Sequence, residues 1–145
     1  MAGTKRRQRP TKEAEKMPES MHAINRTRGT VLCERLETAE GVTGRGRGLM
    51  GRAGLEAGAG MLFDAGRMQP FMWMHMFFMR FPIDIVFLDA GGRVIKIDRR
   101  LKPWRLSSIA IGARRAIELA AGAAAASRTE PGDLIEIALT EIART

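Results

Sequence analysis

MWMHMFFMRFPIDIVFLD, residues 72–89, is the stretch on which the reading of this chain turns. With Phe71 just before it, the stretch holds five of the six Phe and one of the two Trp. Three polar groups, His75, Arg80 and Asp84, stand singly inside it. At period two, Ile83, Ile85 and Phe87 share one face, with Asp84, Val86 and Leu88 on the other. Both faces are apolar beyond Asp84, which specifies a strand covered on two sides. Pro82 cannot donate to a ladder, so it marks where that strand begins. The residues before it also alternate. Phe71, Trp73, His75, Phe77 and Met79 fall on one face, and Met72, Met74, Met76, Phe78 and Arg80 on the other. Aromatic content and the closing Pro favour a strand over a helix across 71–81.

Working outward, Ala90-Gly91-Gly92 is a reverse turn that brings Arg93–Asp98 back as a hairpin partner. Thr30–Leu36 reads as a half-buried outer strand, and Gly60–Phe63, Ile109–Ile111, Ala116–Leu119 and Asp133–Leu139 as further short strands. Ala-rich Gly122–Thr129 is a short helix, and Glu130–Asp133 is a turn with Pro and Gly in the usual places. The pattern predicts a mainly β fold. It is a compact barrel- or sandwich-like domain of about seven short strands with one or two short helices.

The 145 residues suit one domain, and the net charge of +8 is uneven. Residues 1–28 hold eight Lys or Arg against three Glu, and their low hydrophobicity cannot offset the cost of ordering. They are expected to form a disordered basic tail, with the single domain spanning 29–145. Met17 and Met21 leave the true start open between Met1 and either of them. A basic tail attracts nucleic acid weakly and without sequence preference. Lone Cys33 forms no internal disulfide and points to a reducing compartment. No export segment or membrane span is visible, so a cytoplasmic location is expected.

Gly41–Gly54 packs six Gly and three Arg, Arg45, Arg47 and Arg52, into fourteen residues. It lacks the Gly-Lys-Ser/Thr of a P-loop and the strand and helix that flank a dinucleotide fingerprint. It reads as a loop from which Leu49, Met50 and Leu55 dock on the core, with guanidinium groups able to meet an anion. His75 and Asp84 are the His–carboxylate combination of the central stretch, and acid–base work would need them within hydrogen-bond reach. Two His and one Cys cannot assemble a structural zinc site, and no metal or cofactor is expected. Asp84 either ties the strand entry together, through Arg80 or main-chain amides, or anchors a ligand at a pocket mouth. Trp104, between Lys102, Pro103 and Arg105, reads as a cap on one end of the barrel rather than a base-stacking platform.

Three sets of segments carry a family resemblance. The first is RGLMGR at Arg47–Arg52 with GMLF at Gly60–Phe63. The second is HMFFMRFPIDIVFLD at His75–Asp89, followed by GRV at Gly92–Val94. The third is LKPWRLS at Leu101–Ser107, continued by GARRAIELAAG at Gly112–Gly122 and GD at Gly132–Asp133. From about Thr30 to Ile137 the chain resembles the prokaryotic domain-of-unknown-function family 192, the COG1430-type proteins. The resemblance implies a compact, mainly β domain with short helical pieces and supplies no established reaction. It sets Arg47, Gly48, His75, Arg80, Pro82, Asp84 and Trp104 on characteristic motif positions. Many relatives are exported or carry a Lys-Asn-Thr-type motif before the Pro-hydrophobic-Asp step, where this chain has His-Met-Phe-Phe-Met-Arg.

Single polar groups in an apolar stretch, beside an Arg-bearing Gly-rich segment, point first to binding without catalysis. The expected ligand is a small molecule or an extended peptide at one end of the barrel, held by Arg47, His75, Arg80, Asp84 and Trp104. One alternative is a small hydrolase or isomerase using His75 and Asp84. Another is a nucleic-acid or ribonucleoprotein accessory, with the tail and the Lys102–Arg105 loop as its footprints.

Overall fold

The computed structural model describes residues 21–39, 49–66 and 70–140. In chain order these form β1 (Met21–Asn25), β2 (Thr30–Thr38), β3 (Ala59–Asp64), β4 (Phe71–Met72), β5 (Ile83–Leu88), β6 (Val94–Leu101), β7 (Ala110–Ile111), β8 (Arg115–Ala120), α1 (Ala123–Ala126) and β9 (Ile135–Leu139). Seven strands make one sheet in the order β6-β5-β8-β3-β2-β1-β9, and β4 pairs with β7 apart from it. Neighbours are antiparallel except β2 and β3, which run parallel. The mainly β architecture with one short helix is the one the sequence specifies.

The sheet curls until its two outer strands approach. Arg93 bridges Leu134, the Val94 amide donates to the Asp133 carbonyl at 2.8 Å, and the Ile135 amide donates to Gly92 at 2.9 Å. Gly92 makes this closure possible. Its φ is +90°, and a Cβ there would lie 2.6 Å from the Ile135 carbonyl oxygen.

Two apolar cores result, and the strands explain why. The first gathers Ala23, Leu32, Leu36, Leu62, Val86, Val94, Ile117 and Ile135, with at least one residue from every strand of the sheet. Only the inside of a curled sheet can collect side chains from all its strands, so this is the half-barrel interior, with α1 contributing Ala124. The second core lies on the outer face of β3, β8, β5 and β6. Ile83, Ile85, Phe87, Met61 and Ala116 are covered there by Leu49, Met72, Met76, Met79, Ala110 and Ala113. All six residues of β5 are buried because each face belongs to one core. Met50 and Leu55 pack with Leu49, the docking expected of the Gly-rich segment's end.

Three expectations need correction. Residues 21–28 are not part of a disordered tail: β1 pairs with β2 on one side and β9 on the other. Asn25, fully buried in β1, is satisfied by distant partners that local hydropathy does not register. Asn25 donates to Thr129 Oγ1 at 3.1 Å and Asp133 Oδ2 at 3.0 Å, and accepts the Arg28 amide at 3.0 Å. The rest of the expected tail, 1–20, lies outside the described residues. With β1 in place, β2 is an interior strand rather than an outer one. The third correction concerns 71–81, where regular strand stops at Met72 and an irregular arm follows.

Candidate functional site

The arm and the segment 104–111 form a ribbon laid over the second core. Phe71 pairs with Ile111 and Met72 with Ala110. Farther along, the Ser107 amide donates to Met74, His75 bridges Leu106, and the Met76 amide donates to Arg105. Ser107 and Ser108 tie this ribbon to its neighbours. Ser107 Oγ accepts the Met74 amide at 2.7 Å, while Ser108 donates its amide and hydroxyl to Asp98 at 2.7 and 2.5 Å.

Period-two alternation sorts the ribbon's faces. Met72 and Met76 are buried and Met74 partly so, while Phe71, Trp73, His75 and Phe77 face out. The opposing segment buries Ala110 and Ser107 and exposes Trp104, Leu106, Ile109 and Ile111, the last to 79%. Phe78 then breaks the alternation. Its φ of +61° is left-handed, which leaves its ring 65% exposed and returns Met79 to the core. Trp104, also left-handed at φ +66°, lies 59% exposed beside it. Bulky residues adopt this conformation at a cost of about 1–3 kcal/mol each. Their rings form a cluster. Phe78 and Trp104 centroids are 4.9 Å apart, Phe77 and Trp104 6.2 Å, and His75 stacks on Phe77 at 5.1 Å.

The five residues expected at the site therefore separate. His75 and Trp104 share the ribbon, and Arg80 is exposed near its end. Trp104 does not cap the barrel; it stands on the ribbon among other aromatics. Arg47 lies outside the described residues. Asp84 belongs to the opposite face of the sheet. It alternates with Val86 and Leu88 toward the interior and is only 1% exposed. Its carboxylate accepts the Arg100 amide at 2.9 Å and the Gly122 and Ala124 amides at 3.1 and 3.0 Å, so it caps α1. Among the described residues its donors are all main-chain amides, none from Arg80. His75 and Asp84, on opposite sides of the sheet, form no acid–base pair.

The sequence reading did not count the outward ribbon aromatics other than Trp104 as site residues, and it missed one carboxyl, Glu118. The alternation of aromatics with Met from Phe71 to Phe77 was the available signal for the former. Glu118 on β8 pairs across with Met61 and Ile85, so it shares their face beneath the ribbon. It is 4% exposed, and burial raises its pKa from 4.5 to about 7. Asp133 behaves oppositely. Burial disfavours its charge, but Asn25, the Glu130 amide and Arg28 outweigh that and hold it below the ordinary carboxylate range.

A cleft of about 410 Å³ opens on the other side of the molecule, between β2 and α1. Small residues such as Gly58, Ala120, Gly122 and Ala123 line it, with Glu34 as its charged group. Among the described residues, no group of three or more His, Cys, Asp or Glu could hold a metal. Nor is any helix there long and apolar enough to cross a membrane.

The family described as Uncharacterized ACR, COG1430 (DUF192) matches residues 23–137. The chain belongs to this family. A UPF0127 protein of Thermococcus sibiricus is 34% identical over 114 residues, which cover 78% of this chain and 72% of that one. Two crystal structures share the DUF192 chain's fold. A protein of unknown function from Novosphingobium aromaticivorans superposes with a TM-score of 0.66 at 28% identity, covering 81% of this chain and 83% of its own. A Sinorhizobium meliloti protein put forward as a transcription regulator gives 0.67 at 28% identity, covering 81% and 92%.

Proposed function

We propose that this DUF192 domain is a binding module whose ligand lies across the ribbon, not at the end of the barrel. One observation carries the reading: Phe77, Phe78 and Trp104 are exposed as a contiguous cluster rather than scattered singly. Contiguous apolar surface of this kind marks interaction sites. His75 is the polar group within reach of a ligand there, and Arg80 and Trp104 complete the part of the expected site that the ribbon retains. Asp84, with both oxygens engaged by amides, has a structural role in this proposal. The cleft beside Glu34 supports a second reading, a small-molecule site, because its volume is in the range of ligand pockets. The buried, free thiol of Cys33 accords with a cytoplasmic location, which is part of the proposal.

Hydroxyl-radical footprinting tests the two readings together. The protein is labelled in buffer and in whole lysate of its host, membranes included. Protection of Trp73, Phe77, Phe78 and Trp104 in lysate is the expected result. Protection confined to Val31 would move the site to the cleft, and unchanged labelling everywhere would end the binding reading.

A further inference from the structure

Resting on that binding role, we infer that the partner of the ribbon is the surface of an anionic lipid bilayer. The ribbon's outward row mixes two kinds of apolar side chain. Phe77, Phe78 and Trp104 could stack on bases, but Leu106, Ile109 and Ile111 are exposed beside them and gain nothing from stacking. An acyl-chain boundary takes both kinds, and Trp rings such as Trp73 and Trp104 suit the headgroup level, where one edge is apolar and the other wet.

Charge selects among the partners that could cover such a face. The two segments that build and flank the ribbon, 70–82 and 99–117, hold seven Lys or Arg and no Asp or Glu, although Arg99 pairs with Glu130 and Arg100 turns toward Gly122 on the other face. Arg80, Lys102 and Arg105 are exposed at its margin. Two carboxylates close to the ribbon are withdrawn from its outer face, while exposed Asp64 lies across from Arg115 at the end of β3. Asp98 is bonded to Ser108, and Glu118 lies beneath the ribbon. A second copy would bring like charges together around the apolar row. An anionic bilayer meets the row with hydrocarbon and the margin with phosphate, and long basic side chains can lie along such a boundary. The ribbon is preformed for this, because Ser107 and Ser108 hold its backbone and Met72, Met76 and Met79 anchor its inner side. The domain would lie on the membrane without spanning it.

Vesicle flotation of the full chain provides the test, with phosphatidylcholine vesicles against vesicles containing about 30% phosphatidylglycerol. The wild type should float with the anionic vesicles on the order of tenfold more than with the neutral ones, and detach partly in about 0.5 M NaCl. Trp73→Ser with Ile111→Ser leaves the inner face and all basic residues intact. This double variant should keep its thermal midpoint and lose most of the flotation, which separates the ribbon from the basic N-terminal residues present in both proteins. Brominated lipids should quench wild-type tryptophan emission, a readout that does not depend on the variant folding. No flotation, flotation unchanged in the folded variant, or absent quenching would overturn the inference. A fluorescent oligothymidylate bound through the same residues, with no vesicle binding, would sink the bilayer and leave the binding role standing. Variant and wild type behaving alike toward both probes and in the lysate footprint would remove both.

Discussion

The amide of Ala124 donates a 3.0 Å hydrogen bond to the carboxylate of Asp84, joining the first turn of α1 to the start of β5. The other oxygen of the same carboxylate holds the amide of Arg100, whose φ of +49° is left-handed. One buried side chain thus fixes a helix end, the Gly122 turn before it and the end of β6.

Asp84→Ala strands three amide donors and should destabilise the domain by about 2–4 kcal/mol. Asp84→Asn keeps an acceptor on one side only and turns an amide group toward N–H donors on the other. It should recover less than half of the loss. Urea unfolding of both variants measures this. Wild-type stability in Asp84→Ala would mean that the three amides find other acceptors.

Gly92 closes the half-barrel, so Gly92→Ala should separate β9 from β6. Left-handed backbone and a 2.6 Å approach to Ile135 act together there, and the loss should be about 2–3 kcal/mol. Gly91→Ala is the control, since its Cβ would meet Asp89 at an ordinary 3.5 Å. Equal thermal midpoints for the two variants would refute the steric account.

β5 was legible because each of its side chains is apolar or, at Asp84, placed where a lone carboxylate must find donors. Period two then assigned Ile83, Ile85 and Phe87 to one core and Val86 and Leu88 to the other, as the structure has them. β1 was not legible. Met21–Asn25 is held by pairing to β9 and by Asn25 reaching Thr129 and Asp133 more than a hundred positions away, information that no local window contains. The ribbon was half legible. Alternation gave the inward Met and the outward aromatics, but the left-handed turn at Phe78 depends on packing that Phe itself disfavours. The separation of His75 from Asp84 likewise required knowing that β5 has a core on either side.

Asn25 tests the reassigned N-terminal boundary. Asn25→Ala would leave the Arg28 amide without its side-chain acceptor and remove donors from Thr129 and Asp133, costing about 2–3 kcal/mol. A chain beginning at Met21 should keep the wild-type thermal midpoint, whereas one beginning at Gly29 should lose cooperative unfolding. Equal midpoints for those two truncations would restore the tail to residue 28.

Glu118 makes the second core sensitive to pH, and the sign follows from its raised pKa. Between pH 4.5 and about 7 the folded state holds a proton on this carboxyl that the unfolded state has released. Stability contributed by Glu118 is therefore fully present below pH 4.5 and falls until about pH 7. A shift from 4.5 to about 7 corresponds to about 3 kcal/mol. Asp133, whose pKa is lowered, acts in the opposite sense and at more acid pH, losing its contribution as pH falls below the ordinary carboxylate range. The two effects are separable by substitution. Glu118→Gln keeps the shape without the charge, so it should unfold at nearly the same urea concentration at pH 5 and pH 8, while the wild type is weaker at pH 8. The variant should exceed the wild type at pH 8 by up to about 3 kcal/mol. If the two proteins show parallel pH profiles, the carboxyl finds a cation when ionised, and the ribbon rests on a charged base rather than a neutral one.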